Sequence, residues 1–368
     1  MYQLGLSFIE LMIASLLSVF LLAGILQVMT NTTTTKALDN GLTEVQESGR
    51  YALDAMADVI RYRGFQGCIL PLAIDQTQVD NIDWDSVSQT RSVADDVPLP
   101  NFAASSLRGY EVSAGGVWTP DPAAQGYSED IVALINDADV PAPINGSDVL
   151  SIQYASPQGI NLSAAMASPT DDLTIDDNAL GIEANSVLFV GDCLLGDVFR
   201  VSAEPGAEPP FSIQHENSSN STASLRRNYG TDAQVRLFNI DTLYIGDTGR
   251  RDTTGNMIPA LFRRDINGDV TELVEGIERL EIRYGEVLST GNIRYLSADA
   301  MGASDWPRVV TIEIGLLART TREILPQADD SLYRLPGTVV TPSSEAAYTP
   351  GRYLRKVFTT LVEVRNRA

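Results

Sequence analysis

Histidine occurs once, at His215, and cysteine twice, at Cys68 and Cys193, in a chain of 368 residues. So few nitrogen and sulfur donors cannot assemble the clusters that zinc or iron–sulfur sites need, which disfavours a conventional metalloenzyme. No cofactor and no metal is expected. Basic residues are also scarce: 26 Lys and Arg stand against 48 Asp and Glu, for a net charge of −22 and a pI near 4.3. That balance repels phosphate backbones and anionic headgroups, so the body is not expected to bind nucleic acid directly. A Gly-rich phosphate loop, a Cys-x-x-Cys pair and a fixed-period repeat are all missing. His215 lies beside Glu216 in a Ser- and Asn-rich stretch with no nucleophile motif around it, and is expected to be a satisfied or exposed histidine. Carboxylates are plentiful, but nothing singles out a pair for acid–base work. These absences argue against an enzyme.

Proline is missing between Gly5 and Pro71, and that gap holds the most informative part of the chain. Leu11 to Val28 carries no charge, and its strongly polar members are Ser15, Ser18 and Gln27. As a helix it spans roughly 27 Å, enough to cross a bilayer. A cleaved secretory signal would need a basic start and a small-residue cleavage site after the apolar run. Here Met1 to Gly5 has no basic side chain and the run ends in Gln27-Val28-Met29-Thr30. Glu10 heads the apolar segment, where a carboxylate costs a few kcal/mol in lipid and calls for a partner.

Beyond the apolar run, Leu38, Leu42, Val45, Gly49, Ala52, Met56 and Val59 recur at three- and four-residue spacings, the stripe of one helix face. The threonines Thr32 to Thr35 weaken helix propensity locally. Arg63-Gly64 reads as a basic last turn followed by a C-cap glycine. One helix from about residue 6 to 63 is predicted, roughly 85 Å long. From residue 68 the pattern changes to short β-rich runs. They are Ile131–Ile135, Val149–Tyr154, Val187–Val190, Val198–Ser202, Val235–Phe238, Leu243–Ile245, Ala260–Arg264, Val270–Val274, Ile277–Tyr284, Val309–Ala318 and Val357–Val364. Asn267-Gly268 marks a hairpin. The fold class is therefore α+β, with a long helix and a β-dominated body. Residues 72–130, 156–186 and 203–234 read as long polar loops, solvated and mobile. Asp265-Ile266-Asn267-Gly268-Asp269 has its glycine one place early for a calcium loop and reads as a turn. The run Asp171, Asp172, Asp176 and Asp177 reads as a solvated acidic face.

Gly5-Leu6-Ser7-Phe8-Ile9-Glu10 resembles the processing motif of prepilins. The resemblance implies cleavage after Gly5, methylation of the new amine at Leu6, and a role for Glu10 in assembly. A carboxylate desolvated in a filament can pair with the N-terminal ammonium of a neighbouring subunit, so docking in register relieves its cost. The leader departs from the usual pattern in having no Lys or Arg, and Leu6 stands where phenylalanine is usual. Further along, Gln46-Glu47-Ser48-Gly49-Arg50-Tyr51-Ala52-Leu53-Asp54 and Arg63-Gly64-Phe65-Gln66-Gly67-Cys68 resemble PilW-type minor pilins. So do Asp148-Val149-Leu150-Ser151-Ile152 with Tyr154, Gly191-Asp192-Cys193 with Asp197-Val198-Phe199, and Leu273-Val274-Glu275-Gly276-Ile277-Glu278. The C-terminal Tyr353-Leu354-Arg355-Lys356-Val357-Phe358 with Arg365-Asn366 completes the set.

The domains expected are a leader over 1–5, a transmembrane half-helix over 6–29, an extracytoplasmic amphipathic half over 30–66 and a β-rich head over 67–368. The expected function is initiation or assembly of the type IV pilus near its tip, supporting adhesion, twitching motility or DNA uptake. Partners implied are other minor pilins, the major pilin, prepilin peptidase, the inner-membrane assembly machinery and inner-membrane lipid. The protein would sit in the bacterial inner membrane with its head extracytoplasmic, and then in the pilus. Alternatives are a pseudopilin of type II secretion, a tip adhesin and a signal-anchored envelope enzyme. In an extracytoplasmic head, Cys68 and Cys193 are expected to form a disulfide, the alternative being two separate buried thiols.

Overall fold

A computed structural model describes residues 8–69, 90–95, 97, 106–122, 134, 140–343 and 350–364. Its first element is a single helix, Phe8–Arg61, of 54 residues, which at 1.5 Å per residue runs about 80 Å. The threonine-rich stretch does not interrupt it. The hydroxyls of Thr32, Thr34 and Thr35 donate to the carbonyls four residues back, and that of Thr33 to the carbonyl three back, so these side chains are satisfied inside the helix. The large apolar side chains of its N-terminal half stay exposed. Its C-terminal half buries Gly41, Val45, Gly49, Ala52, Met56, Ala57, Val59 and Ile60.

This stripe agrees with the predicted one from Val45 onward and differs before it. Gly41 is buried, whereas Leu42 is exposed. The reason is close approach: a Cβ on Gly41 would lie 2.2 Å from Ile324 Cδ1, and one on Gly49 would lie 2.4 Å from the Phe358 ring. Small residues, not large ones, select the contact face there.

The helix ends at Arg61 and the turn after it closes at Gly64, whose φ of 66° favours a residue without a Cβ, and Gly64 donates its N–H to Gln153 O at 3.0 Å. Arg63 does not act as a basic residue exposed in the last turn. It is fully buried, donating to the carbonyls of Trp306 (3.1 Å) and Val309 (3.2 Å). Burial and the neighbouring Arg108 lower its pKa to about 9. The guanidinium thus joins the helix end to the turn that opens strand Val309–Arg319.

The helix lies on a four-stranded antiparallel sheet ordered Ile293–Leu296, Ile277–Val287, Val309–Arg319, Arg355–Glu363. Val45, Ala52, Met56 and Ile60 pack there with Leu280, Ile282, Ile312, Ile314, Leu316 and Val362. A second, ten-stranded sheet is built around the strand Gln234–Arg251. Sequence pattern predicts two short strands within this span, but the strand is continuous over 18 residues. The intervening polar residues are accommodated by cross-strand partners: Asn239 pairs with Tyr154 in register, and Asp241 accepts from the Tyr154 hydroxyl at 2.7 Å. One half of this strand pairs with Val187–Gly191, and the other with Met257–Arg264.

The expected mobile loops are a correction. Residues 156–186 and 203–234 supply Leu162, Met166, Leu173, Ile175, Ile182, Ile213, Leu225 and Tyr229 to a separate apolar core against Leu188, Val190 and Phe199. Their apolar residues alternate only over the three-residue runs Leu173–Ile175 and Phe211–Ile213, too short to stand out in pattern reading. Strands Leu173–Ile175 and Phe211–Ile213 pair within them. Within 72–130, the strands Leu107–Val112 and Trp118–Thr119 are formed, while the predicted strand 131–135 falls outside the described residues save for Leu134. Asn267-Gly268 closes the hairpin between Met257–Arg264 and Val270–Glu275, with Gly268 at φ 89°. Asp265 accepts the N–H groups of Asn267 and Asp269, so its carboxylate organises the turn.

Cys68 and Cys193 are disulfide-bonded, with Cα atoms 4.8 Å apart across a separation of 125 residues. The bond ties the segment after the helix to the turn between strands Val187–Gly191 and Gly196–Arg200. Its reduction is expected to cost roughly 4–5 kcal/mol by loop-closure entropy, read as a drop in urea midpoint on adding reductant; an unchanged midpoint would show that the bond bears no load. Gly49→Ala is expected to destabilise by about 1–3 kcal/mol despite alanine's better helix propensity. That cost should vanish in a Phe358→Ala background, as a double-mutant cycle would report.

Candidate functional site

The helix half from Phe8 to Met29 is the largest feature that the head does not explain. Its large apolar side chains are all 54–75% exposed, and it belongs to the one described helix long and apolar enough to cross a membrane. A continuous apolar surface of this size has to be covered by lipid or by other apolar helices. Ser15 and Ser18 donate to the carbonyls of Met12 and Ala14, so they add no unmet polar group to this surface. Glu10 lies in the first turn of the helix, where the partial positive charge of the helix start favours a carboxylate. Gly5 and Leu6 lie outside the described residues.

The junction between helix and head is held by polar contacts as well as apolar ones. Glu44 accepts from the backbone N–H and the hydroxyl of Thr321, both at 2.8 Å. Glu278, in the sheet that carries the helix, receives Arg355 in a two-pronged pair at 2.7 and 3.1 Å, with Arg319 at 3.5 Å. Arg355 also reaches Asp329 at 3.2 Å, which accepts the Tyr333 hydroxyl at 2.7 Å. The Arg319 guanidinium stacks 4.0 Å from the Tyr353 ring centroid. Glu278, Tyr353 and Arg355 all belong to segments that the sequence marks by resemblance. Here they form a buried ion network that locks strands Ile277–Val287, Val309–Arg319 and Arg355–Glu363 together.

His215 is buried, with Nε2 2.9 Å from the Asp171 carbonyl and its ring edge-on to Phe199. It is a core residue at the rim of the second apolar cluster. Asp171 accepts from the N–H groups of Ala167 and Ser168 and from the Ser168 hydroxyl, and Asp172 from the Ser212 hydroxyl. These two carboxylates are therefore engaged in turn and loop hydrogen bonds.

A group that sequence reading did not find lies elsewhere. Glu111, Asp148 and Glu281 come from three separate segments, and each offers an oxygen within 4.8 Å of the others. Burial, then the charges of Glu281 and Glu111, push the Asp148 carboxyl well above the usual carboxylate range. Burial also raises Glu111, against the lowering effect of hydrogen bonds from Asp148 and the Ala298 N–H. A cavity of about 480 Å³ opens beside them, lined by Glu111, Arg279, Glu281, Tyr295 and Asp299 among others. The sequence marks Asp148 only within a segment of family resemblance, and residues 111, 148 and 281 share no local pattern that would bring them together.

A half-exposed apolar helix continuous with one docked on a β-rich body is compatible with a membrane anchor that carries a head. Residues 243–366 match the family model described as Type IV Pilus-assembly protein W. That match classes this part of the chain as PilW-type and ties the protein to type IV pilus assembly. It covers both the four-stranded sheet that carries the helix and the buried ion network. No curated protein matches the chain.

Glu278→Ala would leave two buried guanidiniums without their main partner and is expected to cost about 3–5 kcal/mol. Glu323→Ala, which removes a partner of the half-exposed Arg352, should cost under about 1 kcal/mol. Urea unfolding of both variants at neutral pH checks the ranking; equal losses would contradict it.

Proposed function

We propose that the chain is a minor pilin that takes part in initiating or assembling the type IV pilus. The observation that carries this reading is the continuity of one helix. Its first half presents an exposed apolar surface, and its second half is fixed to the sheet that the family match covers. A force or position imposed on the membrane half is thereby passed to the head without a hinge.

In this reading residues 1–5 are a leader removed after Gly5, and Leu6 becomes the methylated N-terminus. Residues 6–29 are the inner-membrane span and 30–66 the extracytoplasmic half of the helix, with the head from 67 onward outside the cytoplasm. Glu10, buried among apolar helices once the subunit enters a filament, meets the N-terminal ammonium of a neighbour. Desolvation penalises a carboxylate in such surroundings until a cation meets it, so the pairing sets the axial register. A head of this size is too bulky for every position along a filament, which favours a place at or near the tip beside other minor pilins and above the major pilin. The role is one of assembly, not catalysis, and adhesion, twitching motility or DNA uptake would follow from the filament.

Mass spectrometry of the N-terminus from native cells tests the processing directly. N-methylated Leu6 is the expected mature end; an intact Met1 or cleavage after the apolar run would overturn the assembly role of Glu10. Glu10→Ala is expected to leave the protein in the membrane fraction while reducing its recovery in sheared pili on the order of tenfold, the loss that about 1.4 kcal/mol of docking energy produces. A deletion strain separates the filament systems: loss of pili with normal protein secretion is expected, and the reverse would indicate a type II secretion pseudopilin.

A further inference from the structure

We propose that Glu111, Asp148 and Glu281 form a binding site for one divalent, oxygen-seeking cation of the Ca²⁺ class. The three residues lie on strand Leu107–Val112, just before strand Val149–Ala155, and on strand Ile277–Val287, so the site bridges the two sheets. Their offered oxygens all lie within 4.8 Å of one another. Calcium–oxygen bonds of roughly 2.3–2.6 Å place ligands on opposite sides of the ion about 4.6–5.2 Å apart, so one ion can reach all three.

The set is held in place from behind. The Ala298 N–H donates to Glu111 Oε1 at 3.2 Å, and the Ile282 N–H to Asp148 Oδ2 at 2.7 Å. The Ser147 hydroxyl accepts from the Leu280 N–H at 3.0 Å, which fixes the 147–148 segment along the edge of the strand that carries Glu281. All three donors are carboxylates, with neither imidazole nor thiolate in the cluster, which selects a hard cation over zinc or copper. The cavity beside Glu111 and Glu281 gives the ion a route in and room for the waters that would complete its coordination.

A second observation points the same way. Tyr284 is 1% exposed, and its hydroxyl has no hydrogen-bond partner among the described residues. The ring lies across Gly109, with Oη where a Cβ on that residue would be, 1.9 Å away. Gly109 and Glu111 are two apart on one strand and so present the same face, which brings the phenol to the row that ends in Glu111. Both Asp148 and Glu111 are close enough to act on it electrostatically. A buried hydroxyl without a partner among the described residues, close to clustered carboxylates, is suited to accept or donate to a water of a hydrated ion. Other charges face the site: Arg279 pairs with Glu281, Asp299 lies on the cavity wall, and Asp148 hydrogen-bonds to Glu111. Arg279, paired with Glu281, is the cation that the protein itself supplies at the site.

The test uses the full-length chain in detergent micelles, stripped with chelator and titrated with CaCl₂. Saturable binding of one Ca²⁺ per chain is expected, with a Kd on the order of 10⁻⁴–10⁻³ M as in extracellular modules, together with a rise in unfolding temperature. Asp148→Asn and Glu281→Gln should each remove both effects, while Asp171→Asn should keep them. Terbium gives an independent readout, because Trp306 packs against Tyr284 with ring centroids 4.9 Å apart. Sensitised terbium emission that Ca²⁺ displaces is expected from the wild-type chain, whether or not a variant folds poorly. No saturable binding by the wild-type chain up to about 10 mM Ca²⁺, or binding that survives Asp148→Asn, overturns the proposal. Either result leaves the role in pilus assembly untouched, since that rests on the helix and not on these carboxylates.

Discussion

The contact between residues 41–60 of the long helix and the four-stranded sheet is what the rest of the structure depends on. Without it, the apolar N-terminal half would be a free peptide and the main core of the head would lose the helix from among its walls. The contact is close because Gly41, Gly49 and Ala52 let the helix backbone approach Ile324, Phe358 and their neighbours. Larger residues at those positions would bury more area yet hold the helix farther from the sheet, and packing density would fall. The fixed direction of the helix relative to the head follows from this tight seat.

Around that seat the fold places several polar groups in dry surroundings. Arg63 satisfies carbonyls at the start of a strand, and Glu278 gathers Arg319 and Arg355 beside Tyr353. Buried ion pairs add little net stability compared with apolar residues of the same shape, but they penalise any other register severely. In a sheet that seats the long helix, keeping one register is the useful property. The carboxylate cluster at Asp148 differs in kind. There, like charges are brought together where the two sheets meet, with Arg279 paired to Glu281 beside them. The disulfide completes the frame, joining the segment after the helix to the ten-stranded sheet, while the helix itself rests on the four-stranded one.

Several of these features are legible in the order of residues alone. The apolar run without charge and the absence of proline predict a helix of about the length found. The strand pattern places most of the β-rich body, including the Asn267-Gly268 hairpin. Periodicity is less informative where packing is irregular. The segments 156–186 and 203–234 look polar because their core residues are isolated among Ser, Asn and Asp, yet each contributes anchors to a shared cluster. The long strand Gln234–Arg251 looks broken because Asn239 and Asp241 are polar, and only their cross-strand partners explain why it continues.

Sequence by itself determined what local chemistry can determine: a helix able to enter a membrane, a glutamate at its head, an acidic β-rich body and two cysteines available to each other. Tertiary structure decided which helix face is buried, that Arg63 turns inward, that the apparent loops are core, and that residues 111, 148 and 281 converge. The physical reason is the range over which each kind of information acts. Helix and strand periods are set by neighbours a few residues away, whereas the partners of Arg63 and Gly49 lie in strands at the far end of the chain. Their identity cannot be read until the chain has folded back on itself.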